Sequence, residues 1–213
     1  MIPEYFAVVG AVIGSVGGLY YLLDTITGRA QPNRVTWLLW WLFPMITFGA
    51  QRAQGVEGLS WATFAAGFTP FLIVLASFLN TDAYWKTRAA DYYLMAGALV
   101  GIGLWFATDD PNLAIFFAIV ADLLAGIPTV AKAYRFPHTE SWVAYSISAV
   151  GFGVGVLAIP AFTFENAAFI AYVFAINALL AILAFGGPRT KKAPGSGASH
   201  HEVRLRGLEP PRA

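Results

Sequence analysis

Asp122 and Asn177 have the most scope for chemistry in this 213-residue chain, because each stands in the middle of a long apolar stretch. An ionised Asp at the centre of a bilayer costs about 2.5–3.5 kcal/mol on insertion scales, so it should face protein, water or a proton rather than lipid. The apolar stretches hold no Lys, Arg or His to pair with it. An acid without a cationic partner can carry a proton, or stay neutral and hydrogen-bond a neighbouring helix; both readings stand. Asn177, between Ile176 and Ala178, offers two donors and an acceptor, and something polar must meet it. That partner is either another helix or a solute. Aromatic residues come next. Trp37, Trp40 and Trp41 open one stretch, and Trp142 and Tyr145 open another. A flat ring can cover a sugar face or the hydrocarbon part of a solute. Trp37 and Trp142 read as an interfacial belt, as do Trp61, Trp85 and Trp105. Trp40 and Tyr145, about one turn deeper, are the better pocket residues.

The elements that must position these groups follow from composition. The chain is 58% hydrophobic and 12% charged, against about 25% charged in an average soluble domain. Mean hydropathy is +0.63. Uncharged runs occupy 5–23, 35–51, 58–81, 92–108, 141–164 and 166–188, and 111–131 is broken only by Asp122. A membrane-spanning helix needs roughly 20 apolar residues, so seven spans are expected. The first run lacks the basic start of a signal peptide and reads as a retained helix. A net charge of +1 leaves no footprint for nucleic acid. Cysteine is absent, which excludes disulfides, thiolate catalysis and Cys-ligated metal. No HExxH, GxSxG or nucleotide-binding loop is present, and neither an enzyme nor a resident cofactor or metal is expected.

With seven spans, twelve of the thirteen basic residues fall on one face, Arg52 alone on the other. Short cytoplasmic loops retain Lys and Arg, which predicts an integral cell-membrane protein with its N-terminus outside and its C-terminus inside. Residues 187–213 are polar and rich in Gly and Pro, as a disordered cytoplasmic tail would be; His200 and His201 there read as solvated. Spacings such as Gly10 to Gly14 and Gly97 to Gly101 suit close helix packing.

A shift of 105 residues lays the first three spans on the last three without a gap and leaves the fourth unpartnered. Pro32 falls on Pro137, Trp37 on Trp142, Thr36 on Ser141 and Trp40 on Tyr145. The expected fold is therefore all-α, with two parallel three-helix repeats joined by a linker helix, in a 3+1+3 layout. The units are 1–80, a linker at 81–110, and 111–186. This layout, with YLLDTITGRAQPNRVTWLLW in one half and GIPTVAKAYRFPHTESWVAY in the other, resembles the PQ-loop superfamily that includes the SWEET sugar transporters. The family's Pro-Gln pair is represented by Pro128 and Thr129 in one half, and by Leu23 and Asp24 in the other.

The resemblance implies an alternating-access carrier of a small polar solute, a sugar first, by facilitated or proton-coupled transport. It makes Asn177 similar to an Asn that touches the sugar, with Thr69 the nearest polar residue to its counterpart position, Leu72. It also makes Pro44 and Pro128 similar to hinge prolines, while Pro70 adds a further kink. The expected wall of the site is Asn177, Asp122, Trp40, Tyr145 and Thr69. The alternative is a membrane receptor or sorting protein of the same superfamily that binds without transporting. The bilayer and the solute are the expected partners; a homo-oligomer is open but not required, since a two-repeat chain already holds both halves of a pathway.

Overall fold

The computed structural model of the chain describes residues 2–3, 5–53, 58–79, 86–159 and 161–186. Trp85, the tail with His200 and His201, and the Trp61 side chain lie outside the described residues. Seven α-helices are present among them: α1 (Phe6–Ile26), α2 (Arg34–Ala53), α3 (Gly58–Leu79), α4 (Ala89–Ala107), α5 (Pro111–Arg135), α6 (Trp142–Leu157) and α7 (Phe164–Gly186). A single 3₁₀ turn at Pro137–Thr139 joins α5 to α6. Four helical stretches are long and apolar enough to cross a bilayer: Phe6–Ile26, Ala89–Ala107, Asn112–Arg135 and Asn166–Phe185. The chain is thus an integral multi-pass membrane protein by length and composition. Its outer surface agrees: Val8, Val12 and Val16 of α1 and Ile182 and Phe185 of α7 are exposed, an apolar skin that suits lipid rather than water.

Local chemistry sets the helix limits. Gly28, at φ 74°, takes the left-handed conformation just past α1, and the chain turns there towards α2. Asn33 then caps α2, its Oδ1 accepting from the backbone of Val35 at 3.0 Å and Thr36 at 3.4 Å. Asp110 caps α5, accepting from Asn112 and Leu113, with Pro111 in the first turn. Ser141 caps α6 by accepting from Ala144 at 3.4 Å.

Helix α3 packs against both α1 and α2, and α7 against both α5 and α6. Two seams join these groups. The α1–α6 seam is the most extensive contact in the fold; the α2–α5 seam is lighter, with α4 laid along α5 and touching α2. Glycine makes the first seam tight. A Cβ on Gly151 would come within 2.5 Å of the Gly10 carbonyl oxygen and the Gly14 nitrogen, and one on Gly17 within 2.7 Å of the Ala144 carbonyl oxygen. Backbone meets backbone there, as small residues allow.

The helix ends carrying the basic residues gather at one end of the bundle. The Gln31 amide donates to the Thr139 carbonyl at 2.8 Å, tying the α1–α2 connection to the α5–α6 connection. Asn33 donates to Asp91 at the start of α4 at 3.1 Å, and Arg34 donates to Ser77 near the end of α3 while lying over the Phe78 ring. At the opposite end the Ile2 amide donates to the Leu157 carbonyl at 3.1 Å.

Candidate functional site

A cavity of about 610 Å³ lies between the helices, with residues of all seven on its wall. That size is typical of a small-molecule site. Asp122, Asn177, Trp40, Tyr145 and Thr69 all line it, as does Pro44; Pro128 is buried away from it. The sequence register thus brings five separate positions, on α2, α3, α5, α6 and α7, to one space.

Their partners are more specific than the sequence indicates. Asp122 on α5 accepts a hydrogen bond from the Tyr172 hydroxyl on α7 at 2.7 Å. The Trp40 indole lies beside the same carboxyl, but its buried N–H closes no regular hydrogen bond. Asn177 finds its polar partner within its own helix, where its amide nitrogen donates to the Val173 carbonyl at 2.9 Å. The expected link to another helix is not what satisfies that donor. Thr69 packs its methyl group over Gly18 of α1.

Four rings form a continuous aromatic wall towards the basic end. Tyr145 meets Tyr21 edge-on at 5.6 Å, Tyr21 meets Trp37 at 4.4 Å, and Trp37 meets Trp40 at 5.1 Å and 83°. Trp40 and Tyr145 therefore communicate through Tyr21 and Trp37 rather than by facing each other. Trp37 corrects its expected place in an interfacial belt: it is only 6% exposed and lines the cavity. The reason is the loop geometry at this end, where the joined α1–α2 and α5–α6 connections fold over the position that would otherwise meet the headgroups. Its counterpart Trp142 is 40% exposed and packs on Phe185. Trp105, also expected as an anchor, lines the cavity.

Behind this wall lies a buried polar layer that sequence reasoning missed. Lys132 and Glu140 form an ion pair at 2.8 Å, with side chains 1% and 0% exposed. The other Glu140 oxygen accepts from Tyr21 at 2.7 Å and Tyr145 at 3.0 Å, and the Lys132 ammonium also donates to the Gln31 carbonyl. Asp24 accepts from Ser141 at 2.5 Å and pairs with Arg29 at 2.8 Å. A buried pair is tolerated because each charge is matched and hydrogen-bonded. His138, in the 3₁₀ turn, shields both ring nitrogens without a partner; burial first, and the Lys132 charge second, hold its imidazole below its ordinary value.

The sequence signal for this layer is Glu140, the one acid beside the basic loop of 132–138; the signal for the Asp122 partner is Tyr172, a lone hydroxyl in an otherwise apolar stretch. Towards the other end, the cavity is lined by Phe43, Thr47, Trp105, Phe152 and Phe169, none of them fully buried. One mouth is closed by the polar layer and the other is looser. Compared with known proteins, the chain matches no family model, no curated protein and no solved structure.

Proposed function

We propose that the chain is a carrier that moves a small polar solute across the membrane by alternating access, as two three-helix units working about the central cavity. The observation that carries this reading is the cavity itself: it lies between the two helix groups, is lined from both, and is sealed at one end by a buried, breakable polar layer. A solidly packed bundle would have no such space.

The 3+1+3 arrangement is part of the proposal. Under the 105-residue shift α1, α2 and α3 map onto α5, α6 and α7. The packing of α3 on α1 and α2 then corresponds to that of α7 on α5 and α6, and the α1–α6 seam to the α5–α2 seam. The Asp24 to Ser141 hydrogen bond across one seam corresponds to Thr129 and Thr36 across the other, both buried hydroxyls without a partner. Parallel repeats of this kind place a substrate at their interface, near the bilayer midplane. On this reading the basic end is cytoplasmic, the state described is closed to the cytoplasm, and the cargo class first implied by the SWEET resemblance is a sugar.

The test is flux. Purified protein in proteoliposomes should show saturable counterflow of at least one member of a panel of sugars, amino acids, amines and organic acids. The sequence contains no cysteine, so single Cys residues at Thr47, on the wall towards the looser end, and at Thr25, buried beside the polar layer, give clean labelling reporters for the two ends. Cargo should lower labelling at one and raise it at the other. Saturable binding with no flux would identify the chain as a receptor of the sorting type instead.

A further inference from the structure

We infer that the cavity is built for a small organic cation, an amine or alkylammonium group held between Asp122 and the aromatic wall. The inference rests on the carrier reading only in taking this cavity as the cargo site. Three observations lead to it.

Asp122 is the one charged residue on the wall among the described residues. Its carboxyl has a single close protein donor, Tyr172, on Oδ2, with Trp40 beside it, so it keeps acceptor capacity facing the space. With no Lys, Arg or His on the wall, an anionic cargo would meet only like charge.

Most of the remaining hydroxyls, and one of the two N–H groups of Asn177, have spent their donors on the protein. Ser15 donates to the Ala11 carbonyl at 2.9 Å, Thr47 to Phe43 at 3.0 Å, Ser148 to Gly14 at 3.4 Å and Asn177 to Val173 at 2.9 Å. The phenols of Tyr21 and Tyr145 both donate away from the cavity, to Glu140. Acceptors therefore outnumber donors on the wall: hydroxyl lone pairs, the Asn177 carbonyl and a carboxylate stand against the second Asn177 N–H, the Thr69 hydroxyl and the Trp105 N–H. A polyhydroxylated neutral solute needs donors and acceptors in similar number, whereas a cation needs acceptors.

Aromatic rings supply the rest. Trp37, Trp40, Tyr21 and Tyr145 stand in contact with one another, and the ring faces of such residues attract a positive charge, most strongly when it is desolvated. A carboxylate beside a cluster of tilted and edge-on aromatic rings is the chemistry of an ammonium site.

The test uses the full chain in detergent and two matched pairs of probes. Choline is compared with 3,3-dimethyl-1-butanol, which has the same shape with carbon in place of the charged nitrogen, and butylammonium with 1-butanol; glucose is added as a neutral polyol. Tryptophan fluorescence reports binding, because Trp37, Trp40 and Trp105 line the cavity. At least one cation should bind about tenfold or more tighter than its neutral partner, the factor that 1.4 kcal/mol represents. Asp122→Asn should bring that ratio to within about twofold without weakening the neutral probe, and Asp122→Glu, which keeps the charge, should preserve the preference. Equal binding within both pairs, no binding of either cation, or a preference that survives in Asp122→Asn would overturn the inference. Counterflow separates it from the carrier reading. Glucose flux without cation binding retains the carrier and defeats the cation; cation binding without flux retains the cation and defeats the carrier.

Discussion

The hydroxyl of Tyr172 reaches from α7 to the Asp122 carboxyl on α5 across 2.7 Å, and it is the direct polar link between those two helices at the level of the cavity. It fixes the orientation of the one acid that faces the space. Tyr172→Phe should therefore cost about 1–2 kcal/mol in an SDS-unfolding titration, the range of an interhelical bond to a carboxyl in a membrane protein. Asp122→Asn keeps an acceptor and should cost less. In the double variant the two effects should be less than additive, and strict additivity would show that the bond contributes nothing.

The Lys132 to Glu140 pair gives a sharper prediction. Glu140→Gln strands a buried ammonium and removes the better acceptor from Tyr21 and Tyr145; a loss of about 3–5 kcal/mol is expected. Replacing both partners, as Lys132→Met with Glu140→Leu, should recover a large part of it. A Cys placed at Thr25, buried in the wild-type chain, should react faster with a water-soluble maleimide in Glu140→Gln than in the parent.

Along the α1–α6 seam, neighbouring glycines should respond differently. Gly151→Ala places a methyl 2.5 Å from backbone atoms of Gly10 and Gly14 and should cost about 1–3 kcal/mol or block folding. Gly14→Ala meets nothing within 4 Å and should fall within about 0.5 kcal/mol of wild type. Melting of the two variants side by side by differential scanning fluorimetry decides this.

His138 predicts an acid sensitivity. Its imidazole is held below the ordinary value of 6.5 in the folded chain, so the fold favours the neutral ring. The stability this represents is complete above pH 6.5 and is lost as the pH falls through it, because the unfolded chain takes up a proton that the folded one resists. The melting temperature should fall between pH 7.5 and 5.5, and His138→Gln should flatten that slope.

The order and extent of the helices are legible in the sequence because, Asp122 apart, charge is confined to their ends, and a run of 17 to 24 uncharged residues has few alternatives in lipid. The convergence of Asp122, Asn177, Trp40, Tyr145 and Thr69 on one wall is legible for a related reason: depth along a span can be counted from its start. Lateral neighbours cannot be counted that way. Tyr172 lies five residues from Asn177, and nothing in the spacing says which of them turns to Asp122. Trp37 is misread because its depth suits an interface, while its burial depends on two connections far apart in the chain, joined from Gln31 to Thr139, closing over it. Lys132 and Glu140 look like topology signals in the sequence and prove to be a sealed pair, since loop charges acquire burial only through tertiary contacts.

The two seams of the bundle are unequal, and this limits how the molecule can flex. Where α1 meets α6 at Gly10, Gly17 and Gly151, backbones lie too close to admit a methyl group, so those helices must travel together like the bound edge of a book. Any widening of the interior has to come from the sparser α2–α5 side, which carries α4 along its back. Opening at either end would then draw on the same flank, and a crosslink placed there would immobilise the whole assembly, whereas one along the glycine edge would leave its breathing untouched.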